Sequence, residues 1–169
     1  MATTYELIAS TTVGSGGAAT IDFNPIPQTY TDLLLKVSNR NNRVALNDAI
    51  GLNFNGSSSG YSGRRIYGQG SSGVGADTES VYGPIDNATT TTANTFANIE
   101  FYIPNYKSSN YKSFSADGVQ ETDGGIAYST LYACLWSNTS AITSISIKLQ
   151  TTTLFLQYST AYLYGIKNS

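Results

Sequence analysis

Residues 98–136 constrain the fold more than any other part of the chain. Asn98-Ile99-Glu100-Phe101-Tyr102-Ile103 alternates polar and apolar residues and stops at Pro104. After a polar turn, Lys112-Ser113-Phe114-Ser115-Ala116-Asp117 alternates again and stops at Gly118. A third run, Ile126 to Trp136, closes the stretch. Period-two runs bounded by Pro, Asn, Asp or Gly read as three consecutive antiparallel strands.

The same pattern extends in both directions. Tyr5 to Val13 reads as a first strand and Ala18 to Phe23 as a second, with Ala19, Ile21 and Phe23 on one face. The hairpin-sized Gly14-Ser15-Gly16-Gly17 link predicts that these two pair. Asn24-Pro25-Ile26-Pro27 is an extended corner. Asp32 to Ser38 is the most apolar run, short enough for a strand buried on both faces. Asn39 to Asp48 reads as a polar loop and Ala49 to Asn55 as a strand with Ile50, Leu52 and Phe54 inward. Arg64 to Tyr67 is a short strand, whereas Gly68 to Ala76 is too glycine-rich for regular structure. Glu79 to Tyr82 is a weak strand and the threonines 89–92 a strand entry or loop. Ile142 to Leu149 follows, and Thr153 to Tyr158 with Thr160 to Ile166 suggests a final hairpin. No window has a helical period. Nine or ten short strands with frequent turns predict a single all-β domain over 1–169, an antiparallel β-sandwich with jelly-roll wiring.

Composition narrows the chemistry. The 169 residues suffice for a substantial core, yet only 12% are charged. Ser and Thr (21 each) and 14 Asn make the surface polar without charge. A net charge of −2 offers no electrostatic footprint for nucleic acid. So little charge favours a surface partly covered by like or unlike chains. With no His, the commonest general base and metal ligand is missing. The single Cys134 lies in an apolar run, as a buried thiol would. Residues 1–20 have neither the basic start nor the apolar core of a secretion signal, and no run has the roughly 18 apolar residues of a spanning helix. Folding in a cytoplasm, with no membrane partner, is the expectation.

Several motifs have plain readings. Gly68-Gln69-Gly70-Ser71-Ser72-Gly73 matches G-x-G-x-x-G, but a dinucleotide site needs a helix after it and none is predicted. Asn55, Asn87 and Asn138 open Asn-x-Ser/Thr triplets that this composition produces by chance. Asp117, Glu121 and Asp123 cluster in what reads as one exposed turn, without the spacing of a calcium loop or the environment of a glycosidase pair. Arg64-Arg65, the only doubled basic pair, reads as an edge-strand guard or as a contact for an acidic partner. Tyr61, Tyr106 and Tyr111 fall in or beside polar loops, as interface or sugar-stacking tyrosines do. Tyr128, Tyr132 and Trp136 share one parity and Leu131, Ala133 and Leu135 the other, so that strand is covered on both faces, by the domain itself or by another subunit. No catalytic residue, metal ligand or cofactor site follows from these residues, and no enzyme is expected.

Separated blocks add a resemblance. They are residues 5–14 (YELIASTTVG), 26–33 (IPQTYTDL), Phe54-Asn55-Gly56 with Tyr61-Ser62, and 103–106 (IPNY). The later blocks are 112–117 (KSFSAD), 135–145 (LWSNTSAITSI) and 163–167 (LYGIK). Together they resemble a family of small virion structural proteins of tailed bacteriophages. The resemblance implies a β-sandwich on the particle, of the capsid-decoration or cement type, made in the host cytoplasm and sited on the capsid exterior. Its partners would be itself, as a homotrimer, and the major capsid protein. The alternative is a tail-fibre or receptor-binding head that recognises a host-surface glycan. The resemblance brings no binding residue with it.

Overall fold

The computed structural model describes residues 4–70, 74–79 and 81–167. Twelve strands follow one another: β1 (Tyr5–Thr12), β2 (Thr20–Phe23), β3 (Asp32–Asn39), β4 (Asn47–Phe54), β5 (Tyr61–Gln69) and β6 (Val74–Glu79). The second half holds β7 (Tyr82–Asn87), β8 (Ala97–Ile103), β9 (Lys112–Gln120), β10 (Tyr128–Trp136), β11 (Ile145–Leu149) and β12 (Thr160–Ile166). There is no helix among the described residues. The strands form an eight-stranded sheet, β1-β12-β3-β8-β9-β10-β5-β6, and a four-stranded one, β2-β11-β4-β7. All strand pairs are antiparallel. The all-β sandwich holds. The eight-plus-four division differs from the two four-stranded sheets of an eight-stranded jelly roll, so these orders establish the sandwich and not the jelly-roll wiring.

Alternation builds the core as expected. In β8–β10 the inward residues Ile99, Phe101, Ile103, Phe114, Ala116, Tyr132, Cys134 and Trp136 are buried. They meet Ile50, Leu52 and Phe54 of β4 and Ile145, Ile147 and Leu149 of β11 in one cluster. The Phe54 ring sits edge-on to Phe114 (5.2 Å) and Trp136 (5.4 Å), the geometry favoured by the ring quadrupoles. Each such side chain contributes roughly 1.5–3 kcal/mol by leaving water. In β3, Leu33, Leu34, Leu35 and Val37 are all buried, which fits a two-sided strand.

Two glycines make room for tyrosine rings. A Cβ on Gly83 would fall 2.2 Å from Tyr132 Cγ, and one on Gly165 would fall 2.3 Å from Tyr30 Cγ. Each ring lies flat on bare backbone.

Several local expectations are overturned by pairing between distant segments. β1 pairs only with β12 and β2 with β11, so the first two strands belong to different sheets despite their short link. The glycine-rich stretch is a hairpin, because β5 extends to Gln69 and β6 resumes at Val74; residues 71–73 lie outside the described residues. Of the weak strand at 79–82, Glu79 ends β6 and Tyr82 begins β7, while residue 80 lies outside the described residues. Residues 40 and 41 are drawn out of the loop into bridges with Asn87 and Phe155. The final hairpin does not form. Residues 153–159 instead run as a strap across the sandwich end: Phe155 exchanges backbone hydrogen bonds with Ala18 (2.8 and 3.0 Å), and Leu156 N–H donates to Arg40 O (2.8 Å).

Candidate functional site

The widest surface available to a partner is the outer face of the eight-stranded sheet. Directly opposed residues share a face, so the register defines its rows. One row reads Leu7, Tyr164, Leu34, Tyr102, Ser115, Ala133, Arg64. The next reads Ser10, Tyr162, Lys36, Glu100, Asp117, Leu131, Ile66, and the third Thr12, Thr160, Ser38, Asn98, Val119, Ser129, Gly68. Leu7 (52% exposed), Leu131 (56%), Val119 (50%) and Ile66 (47%) stand open to solvent. Ile66, Asp117, Val119, Ser129 and Leu131 frame a shallow depression of about 350 Å³.

The charges on this face balance. Lys36 Nζ lies 2.9 Å from Glu100 Oε2, and this hydrogen bond raises the lysine pKa. Asp117 beside them has a raised pKa, from partial burial first and the Glu100 charge second. The opposite side of the sandwich is different. There Thr20, Asp22, Ser146 and Lys148 of β2 and β11 face out, and Asp22 accepts hydrogen bonds from Thr20 (2.6 Å) and Ser146. One outer face is sticky and the other is wetted.

A second polar concentration is internal. Asp86 is fully buried and accepts from Asn39 Nδ2, from Asn41 Nδ2 (3.0 Å to each oxygen) and from the Asp48 N–H (3.1 Å). Burial pushes its pKa up to about 7. Asp48 in turn accepts from Ala49 N–H (2.9 Å) and from the Thr151 hydroxyl. The network ties β3, β4, β7 and the residues after β11 together and so holds the fold.

The residues singled out by the sequence scatter. Asp117 is in β9, opposite Leu131 and Glu100, and not in the turn that holds Asp123. Glu121 uses its carboxylate to accept from the Thr122 and Asp123 N–H groups (2.7 and 2.9 Å), a local turn brace. Among the described residues, no three His, Cys, Asp or Glu gather to hold a metal. Gly68 and Gln69 end a strand, and another strand follows where a dinucleotide site needs a helix.

Arg64 and Arg65 lie in β5, which is paired on both sides, so they guard no edge. Arg64 is exposed, whereas Arg65 donates to Gly83 O (3.0 Å) and lies over the Tyr67 ring. Tyr61 is half-buried against the core, stacked on Trp136 (6.2 Å, 20°), and Tyr106 is fully buried with its hydroxyl on Pro27 O. Of the three loop tyrosines only Tyr111 is exposed. On β10 the aromatic parity is inward, while Leu131 and Ala133 are exposed and Leu135 half-buried, so the domain covers one face of that strand only.

Asn55, with φ of 52°, braces residues 141–144 through both ends of its amide. Asn87 is buried with its amide on Thr95 and Glu121, and Asn138 accepts from Ser140 N–H. Cys134 is buried, with its thiol pKa raised to about 11 by desolvation. Leu7, Ile66, Val119 and Leu131 were missed as a group, because only the strand order brings them onto one surface.

Fold and surface together define an all-β sandwich with Leu7, Ile66, Val119 and Leu131 exposed among polar residues on one outer face. No protein-family model matches the chain, and no curated protein matches it.

Proposed function

We propose that this chain is a structural protein of a tailed-bacteriophage virion, a capsid decoration or cement protein. It attaches to the assembled head shell from outside and associates with its own copies as a homotrimer. The observation that supports this reading is the asymmetry of the sandwich: one outer face is polar and the other exposes Leu7, Ile66, Val119 and Leu131. Exposed apolar side chains gathered on one face mark an interaction surface. The whole face that carries them, about eight strands at roughly 4.8 Å by six or seven residues at roughly 3.3 Å, comes near the roughly 800 Å² per partner of a stable interface. The sequence blocks quoted above supply the virion context.

The test adds purified protein to shells assembled without it. Saturable binding and a trimer mass in solution are expected. Monomers that leave the shells bare would overturn the reading. A tail-fibre or receptor-binding head that reads a host glycan is the second reading, favoured by the exposed loop aromatics Tyr111 and Tyr158. Electron microscopy of particles with and without the protein separates the two by where density disappears.

A further inference from the structure

Tyr158 is a bulky residue held at φ of 72°, and it is 68% exposed. A left-handed backbone at an aromatic residue is uncommon and strained, and such outliers concentrate at ligand sites. Its backbone is pinned there: Tyr158 N–H donates to Val13 O (3.0 Å), and Val13 N–H donates to Ser159 O (2.8 Å). The ring borders a cavity of about 490 Å³ between four loops, within the usual range for a small-molecule site. Asn94, on the same wall, is also left-handed, with φ of 64°.

The lining has a definite chemistry. Phe96 and Tyr158 offer apolar faces, while Asn42, Asn94 and Gln157 offer planar amides. The Asn94 and Gln157 amides have no hydrogen-bond partner among the described residues, so both donors and acceptors are available. Arg40 closes the wall. Its guanidinium is buried among six oxygens of residues 89–95: Nη1 donates to Thr91 Oγ1 (2.8 Å), Thr92 O (2.9 Å), Thr95 O (3.0 Å) and Thr95 Oγ1 (3.2 Å), and Nη2 to Thr91 O (3.0 Å) and Thr89 O (3.3 Å). No carboxylate among the described residues pairs with it. Burial lowers its pKa from a value so high that it keeps its charge. The cavity is therefore bordered by a fixed positive charge without a counter-ion.

We infer that this cavity is a saccharide site, with Tyr158 as the stacking platform and the amides on the ring hydroxyls. The Arg40 charge makes an acidic sugar bind more tightly than its neutral counterpart. A pyranose ring fits this lining because it presents C–H groups on a face and paired hydroxyls on its edge. The site shares no residue with the outer face of the eight-stranded sheet, so it does not depend on shell attachment.

The test uses the whole chain with two matched pairs, sialyllactose against lactose and trigalacturonate against its methyl ester, followed by NMR titration. At least one acidic member is expected to shift the Tyr158 ring signals, with an affinity several-fold above its neutral partner. Tyr158→Gly should abolish this binding while raising Tm by a few degrees, since glycine relieves the left-handed strain. Gln157→Ala, an exposed change, should weaken binding without moving Tm. Silence of all four sugars, equal affinity within both pairs, or unaltered binding in Tyr158→Gly would each overturn the proposal.

Discussion

Asp86 shows how one residue sets a pH dependence. Its carboxyl is buried, and its folded pKa of about 7 lies above the roughly 3.9 of an unfolded Asp. The folded state therefore holds the proton more tightly. The stability this confers is full below about pH 4 and is lost as pH rises towards 7. Melting curves between those values should show Tm falling with pH, and Asp86→Asn should flatten that slope. Asn39 fits this account: its Oδ1 is buried without a partner, and turning the amide would offer that oxygen to a protonated Asp86. Gly83 works by size alone. A methyl group there would meet Tyr132 Cγ at 2.2 Å, so Gly83→Ala should cost about 1–3 kcal/mol in chemical denaturation.

At the scale of the element, the strap 153–159 is the informative piece. It has alternation enough to suggest a strand, yet its hydrogen bonds go to Ala18, Arg40, Asn42 and Val13 and not to β12. Phe155 anchors it, fully buried in the core cluster. Phe155→Ala is expected to cost about 3–5 kcal/mol. Hydrogen exchange should then show the Ala18 and Leu156 amides losing protection before those of β8–β10, because the strap has no second sheet neighbour to retain it. The β5–β6 hairpin makes the converse point. Glycine-rich sequence was read as loop, but cross-strand pairing from Gly63 to Gly68 overrides weak local propensity.

At the scale of the whole molecule, the two outer faces set its behaviour. Leu131→Lys places a charge on the sticky face without touching the core, so the fold should keep its stability within about 0.5 kcal/mol. Sedimentation should show self-association reduced, and shell retention should fall with it. Lys36 and Arg64 balance Glu100 and Asp117 on that face. Association driven by its apolar residues should therefore change only a few-fold between about 0.1 and about 1 M salt.

The sequence by itself determined the class and the inward residues. Side chains alternate strictly along a strand, so Ile50, Leu52, Phe54, Ile99, Phe101, Phe114 and Trp136 declare their shared face within their own segments. Tertiary structure alone decided the partners. Pairing β1 with β12 and separating it from β2 depends on hydrogen bonds between segments more than a hundred residues apart, which no local pattern encodes. Tyr106 looks like a loop residue until distant segments bury it, and Leu131 looks covered until the sheet leaves its second face open. Both candidate sites belong to that second category. The sticky face exists only once eight strands are ordered, and the cavity beside Tyr158 only once four loops meet.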